Sequence, residues 1–122
     1  MRVPRLDRHE PLARVRNLWK GRYLARLLDY LSHGGETALH SGYELGRRAV
    51  VEGLGCLEVL AIHQEGLGVA LRQAETPEEC ARIVEEAGKF LSEGFSPFEI
   101  SVRGFRDTID QLRRNVEDLL RI

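Results

Sequence analysis

No segment of this chain approaches the roughly 18 consecutive apolar residues that a membrane-spanning helix needs. Its N-terminus also has no apolar core of the kind a signal peptide carries. Both absences point to a cytoplasmic protein with no membrane role. Cysteine is scarce: Cys56 and Cys80 are too few for a disulfide framework and lack metal-ligand spacing. They are expected as free, buried thiols in a reducing compartment. There is no internal repeat, no low-complexity tract and no alternating strand pattern of useful length. What is present is helical material: 122 residues, 43% hydrophobic and 30% charged, enough for one core and too short for two.

The net charge of −1 is unevenly spread. Residues 1–26 hold eight Arg or Lys against Asp7 and Glu10, a local +6, which leaves −7 on the rest. Such a segment can bind nucleic acid or an anionic surface. The plainer reading is the solvated face of a first helix, because only Trp19 and Tyr23 are interleaved as stacking aromatics. Nucleic-acid binding through this segment is kept as an alternative. Pro4 and Pro11 bracket a basic leader over residues 1–11, and residues 12–122 are expected as a helical signalling domain with a C-terminal linker helix from about residue 107.

From about Leu12 the residues Val15, Trp19, Tyr23, Leu27, Tyr30 and Leu31 recur at helical spacing until Gly34-Gly35. A second helix starts near Glu36 with Leu39, Tyr43, Val50 and Leu54 on one face, and Gly53-Leu54-Gly55 breaks it. A third carries Leu57, Leu60, Leu67 and Leu71 as its stripe. The fourth has the clearest start: Thr76-Pro77-Glu78-Glu79 supplies an N-cap, a proline at the first helical position and a glutamate three residues after the cap. The predicted fold is all-α, a four-helix antiparallel bundle in which short links make sequential helices neighbours.

No catalytic residue, metal site or cofactor is predicted. His63 lies in line with Leu60 and Leu67 and reads as a satisfied core histidine. His40 lies one turn from Glu36, and two ligands do not make a metal site. Gly53-x-Gly55 follows no strand and lacks the third glycine of a dinucleotide fingerprint. His9-Glu10 has the residue order of a phosphoacceptor histidine but lies in the leader. No nucleophile–base pair can be named.

The last helix carries an apolar ladder at alternating steps of four and three: Leu91, Phe95, Phe98, Val102, Phe105, Ile109, Leu112, Val116 and Leu119. A period of 3.5 is the seam of a supercoiled helix. With Leu91 at d, Val102, Ile109 and Val116 fall at a while Leu112 and Leu119 fall at d, a choice that favours a parallel pair. Ile109, Leu112, Val116 and Leu119 are therefore expected to form the seam of a homodimer and the output helix. The g positions hold Gly94, Ser101, Thr108 and Asn115, so g–e salt bridges do not set the pairing. Pro97 removes one backbone hydrogen bond and crowds the Glu93 carbonyl, and Gly104 follows it; both are expected to act as a hinge or bend. Glu99 and Arg103 can pair along the helix and bridge to Glu44 or Arg47 inside the bundle.

Four strings occur in order: Tyr43-Glu44-Leu45-Gly46-Arg47-Arg48; Ile62-His63-Gln64-Glu65-Gly66-Leu67; Phe90-Leu91-Ser92-Glu93 running into Ser96-Pro97-Phe98-Glu99; and Arg103-Gly104-Phe105-Arg106. Together, over roughly residues 20 to 112, they resemble the N-terminal domain of RsbU-type phosphatases, regulators of bacterial stress sigma factors. The resemblance implies a dimeric helical bundle without catalytic residues. It also implies docking of a partner-switching, serine kinase-like protein, relayed through a connecting helix to a phosphatase or kinase effector in cis or in trans. Aligned on Ile62-His63, Glu36 matches an acidic partner-contact position. At neighbouring contact positions this chain has His40, Ser92 and Ser96 in place of an aromatic and aliphatic residues. A second alternative is a small-ligand sensor with a polar-lined cavity near His63 and Tyr43.

Overall fold

The computed structural model describes residues 9–121. Four helices account for nearly all of them: α1 (His9–His33), α2 (Glu36–Glu52), α3 (Cys56–Gln73) and α4 (Pro77–Leu120), with no strand among the described residues. Of the basic leader, residues 1–8 lie outside the described residues. Pro11 sits in the first turn of α1, where a missing N–H costs little because the first four have no intrahelical acceptor.

The breaks follow local chemistry. Gly34, Gly35 and Gly53 take φ values of 67°, 98° and 84°, a region where a Cβ would cost about 1–2 kcal/mol. Beyond α2, the Leu54 N–H donates to the Ala49 carbonyl at 2.9 Å. At the start of α4, Thr76 Oγ1 accepts from the Glu79 N–H at 3.1 Å, and the Glu79 carboxylate accepts from the Glu75 N–H at 2.9 Å. α4 then runs 44 residues, about 66 Å at 1.5 Å per residue, with Pro97 buried inside it.

The core is built on α1. Trp19, Tyr23, Leu27, Val59, Ile62 and Phe90 are the largest fully buried side chains. Trp19 Nε1–H donates to the Leu45 carbonyl at 2.8 Å, tying α1 to α2. Tyr23 stacks on Trp19 at 5.0 Å and meets Phe90 edge-on at 5.3 Å. Arg82 donates to the Leu31 carbonyl at 3.2 Å, and Tyr30 donates to Glu86 at 2.5 Å, so α4 is fastened to the end of α1.

Helix order in space differs from the expectation that sequential helices are neighbours. α2 packs most closely on α4, while α2 and α3 barely touch. Gly42 faces Phe90 and Gly46 faces Gly94; an advance of four residues on both helices means that α2 and α4 run parallel. The physical reason lies in the glycines. A Cβ on Gly46 would collide with the Gly94 carbonyl oxygen and stand 2.9 Å from its carbon, so the absence of side chains lets the backbones touch.

The packed faces also differ from the predicted stripes. α2 buries Gly42, Leu45, Gly46 and Ala49; of the predicted stripe Leu54 is buried and Leu39 packs on the core, while Leu39, Tyr43 and Val50 are only half-buried. α3 buries Val59, Ile62, His63, Gly66 and Ala70, and Leu57 is 80% exposed. Gly66 is tolerated there because Leu24 and Leu27 of α1 fill the space of its missing Cβ. Both cysteines are free, but Cys56 is exposed and Cys80 half-buried, against the expected burial. Cys56 opens α3 at its first residue, on the solvent side of the Gly55 cap.

Candidate functional site

α4 leaves the core at Phe98, the last of its residues packed against the buried cluster. Every residue from Glu99 to Arg121 is exposed. This projecting segment carries the rear of the ladder, with Phe105 at 68% exposure, Leu112 at 58% and Leu119 at 69%. Val102, Ile109 and Val116 are exposed alongside them. Several polar side chains of the same segment bond within the helix. Arg103 pairs with Glu99, Thr108 donates to the Gly104 carbonyl at 3.0 Å, and Gln111 donates to Asn115 at 3.1 Å. Both faces of this helix stand in water, and the apolar one packs on no other described element.

Glu99 and Arg103 were expected to reach Glu44 or Arg47 within the bundle. Each pair instead closes on its own helix, Arg47 to Glu44 at 3.4 Å and Arg103 to Glu99, and all four side chains are more than half exposed. The reason is position: Glu99 and Arg103 lie beyond the last core contact of α4. Pro97 is buried against the core, whereas Gly104 stands in open space.

The partner-contact candidates fall in two places. Glu36 and His40 line an open groove between α1 and α2, where His40 stacks on Tyr43 at 5.6 Å and approaches Glu44 at 3.4 Å. Ser92 and Ser96 lie on α4, do not line that groove, and donate back to the Gly88 and Ser92 carbonyls at 3.0 Å. The groove has a volume of about 1110 Å³ and is walled by Arg22 and Arg26 of α1 and Arg47 and Arg48 of α2. Its floor includes Ala38, Ser41 and the buried Leu45, and Gly34-Gly35 closes one end. The spacing of Arg22 and Arg26, one turn apart, was the only sequence signal for it; the opposite wall comes from another helix.

His63 is 4% exposed, and its Nδ1 lies 2.7 Å from Tyr23 Oη. Burial pushes the imidazole pKa below its usual 6.5 and pushes the Tyr23 hydroxyl up. Tyr43 stacks on His40 of its own helix, whereas the polar partner of His63 is Tyr23. Tyr30 is pushed up to about 12, first by burial and then by its bond to Glu86. That bond, with one from Lys89, holds the Glu86 carboxyl below the usual range.

Among the described residues no group of three His, Cys, Asp or Glu could hold a metal ion. No helix of the described residues is long and apolar enough to cross a membrane.

Comparison with known proteins gives one match. The family model described as the N-terminal domain of phosphoserine phosphatase RsbU matches residues 21–101, more than half of the chain. Neither a curated protein nor a solved structure matches.

Proposed function

This chain belongs to the RsbU N-terminal domain family, and from that premise we propose that it is a non-enzymatic regulatory domain of bacterial stress signalling. It forms a four-helix bundle that dimerises by pairing the projecting part of α4 in parallel, through Val102, Phe105, Ile109, Leu112, Val116 and Leu119. A partner-switching, serine kinase-like protein docks on the bundle surface near Glu36 and His40. The event passes along α4, with Pro97 and Gly104 setting its bend, to a phosphatase or kinase effector. The family is the regulatory N-terminal part of a phosphatase and not its catalytic part.

One observation carries the reading: an apolar stripe at 3.5-residue spacing runs along a helix that no other element among the described residues covers. The tight α2–α4 seam supports the relay, because a displacement of α2 at the groove reaches α4 one turn before Pro97 through backbone contact. The test is affinity capture of partners from the source cell with mass read-out. Recovery of a serine kinase-like protein supports the reading, and recovery of nucleic acid in its place contradicts it.

A further inference from the structure

Resting on the reading that a protein partner docks on this domain, we propose that the α1–α2 groove seats one helix of that partner. It selects that helix by acidic side chains, which Arg22 and Arg26 bind. The two arginines are one turn apart on α1 and so present their head groups on one face. Both are exposed, and neither makes an ion pair among the described residues. Across the groove, Arg47 and Arg48 make only long surface pairs, 3.4 Å to Glu44 and 3.3 Å to Glu52. Exposed pairs of this kind are worth about 0–1 kcal/mol and exchange readily for a better acceptor.

The charge in the groove is polarised. Asp29 and Glu36 lie beside the Gly34-Gly35 turn and Glu44, engaged by His40 and Arg47, lies between, whereas Arg22, Arg47 and Arg48 lie at the far end with the exposed Val51. Asp29 is already engaged by His33 at 3.1 Å. The length suits a helix: from Glu36 to Val51 is about 22 Å at 1.5 Å per residue, room for four turns. Ala38 and Ser41 keep the floor low, so a helix can lie close, and Val51 offers an apolar anchor at the basic end. Guanidinium forks bind carboxylates in pairs, so acidic residues spaced i, i+4 on the incoming helix match Arg22 and Arg26. An anion the size of phosphate would use the two guanidinium groups and leave most of the groove empty.

The experiment titrates the full chain with two synthetic 16-residue helical peptides on one Ala/Leu frame, one with Glu at i, i+4 and one with Lys. Calorimetry and backbone amide shifts are the read-outs. The expected result is binding of the Glu peptide, weakening as salt is raised, with shifts at Arg22, Arg26, Ser41 and Arg48. The double variant Arg22→Glu/Arg26→Glu then loses tenfold or more in affinity, while Arg103→Glu/Arg106→Glu stays within twofold. Equal binding of the Lys peptide, retained affinity in the first variant, or shifts confined to other helices would overturn the proposal. So would a halved mass of Arg22→Glu/Arg26→Glu in light scattering, since a second copy would then occupy the groove. Glu-peptide binding that persists when cell capture recovers no kinase-like protein supports the groove chemistry and counts against the named partner alone.

Discussion

Substituting Gly46 by alanine isolates the contact on which α4 is held. The new Cβ would stand 2.9 Å and 3.0 Å from Gly94 C and Cα and closer still to its carbonyl oxygen, all backbone atoms that no rotamer change can move away. Ordinary contact begins near 3.4 Å, so α2 and α4 must separate along the seam that Gly42 and Phe90 share. Overpacking of this kind costs about 1–3 kcal/mol, and more where backbone must shift. Alanine returns about 1 kcal/mol in helix propensity, leaving a net loss of about 2 kcal/mol. At roughly 4 °C per kcal/mol, where the ranges for smaller and larger domains meet, the melting temperature should fall by about 8 °C. The matched control is Gly88→Ala, on the exposed side of α4 with nothing within 4 Å of the added atom. It gains the propensity term alone, up to about 1 kcal/mol. Thermal melts followed by circular dichroism read both. A Gly46→Ala protein melting at or above the parent temperature would refute the claim that these backbones touch.

Three other outcomes follow from particular groups. His63 is held below its usual pKa by burial, so the unfolded chain binds the proton more readily. Stability therefore falls as pH drops from the unfolded value of about 6.5 toward the lower folded value, and His63→Gln should flatten urea-melt stability across that window. Tyr23→Phe removes the partner of His63 Nδ1, and leaving a buried polar atom unpaired should cost about 1–3 kcal/mol by the same melts. Thr76→Ala deletes the cap that accepts from Glu79 N–H and should cost about 1 kcal/mol, with loss of amide protection confined to the first turn of α4.

Side chains that announce themselves were legible in the sequence. The Thr76-Pro77-Glu79 start, the Trp19–Tyr23–Leu27 stripe of α1 and the glycine breaks all stand where the residue types place them. The α2–α4 seam was not legible, because Gly42, Gly46 and Gly94 carry no hydrophobic signal; their value is what they omit. Leu57 looked like core by spacing, yet the buried face of α3 turns through His63, Gly66 and Ala70 toward α1. The interior Gly66 signals close helix approach by its cost in helix propensity, and the contact with Leu24 and Leu27 shows that α1 fills the space. The arginine groove was missed for a related reason: its two walls are more than 20 residues apart in sequence, and either wall alone reads as a solvated face.

The central claim is the parallel pairing of α4, and symmetric cross-linking tests it most directly. In a background of Cys56→Ser and Cys80→Ser, Leu112→Cys and Leu119→Cys each place a thiol at a d position, where it meets its own counterpart in a parallel, in-register pair. The account predicts disulfide-linked dimers from both variants under mild oxidation, and none from a cysteine placed on the polar side at Asp110. A parent chain that scatters light as a strict monomer at micromolar concentration, with neither variant cross-linking, would contradict it.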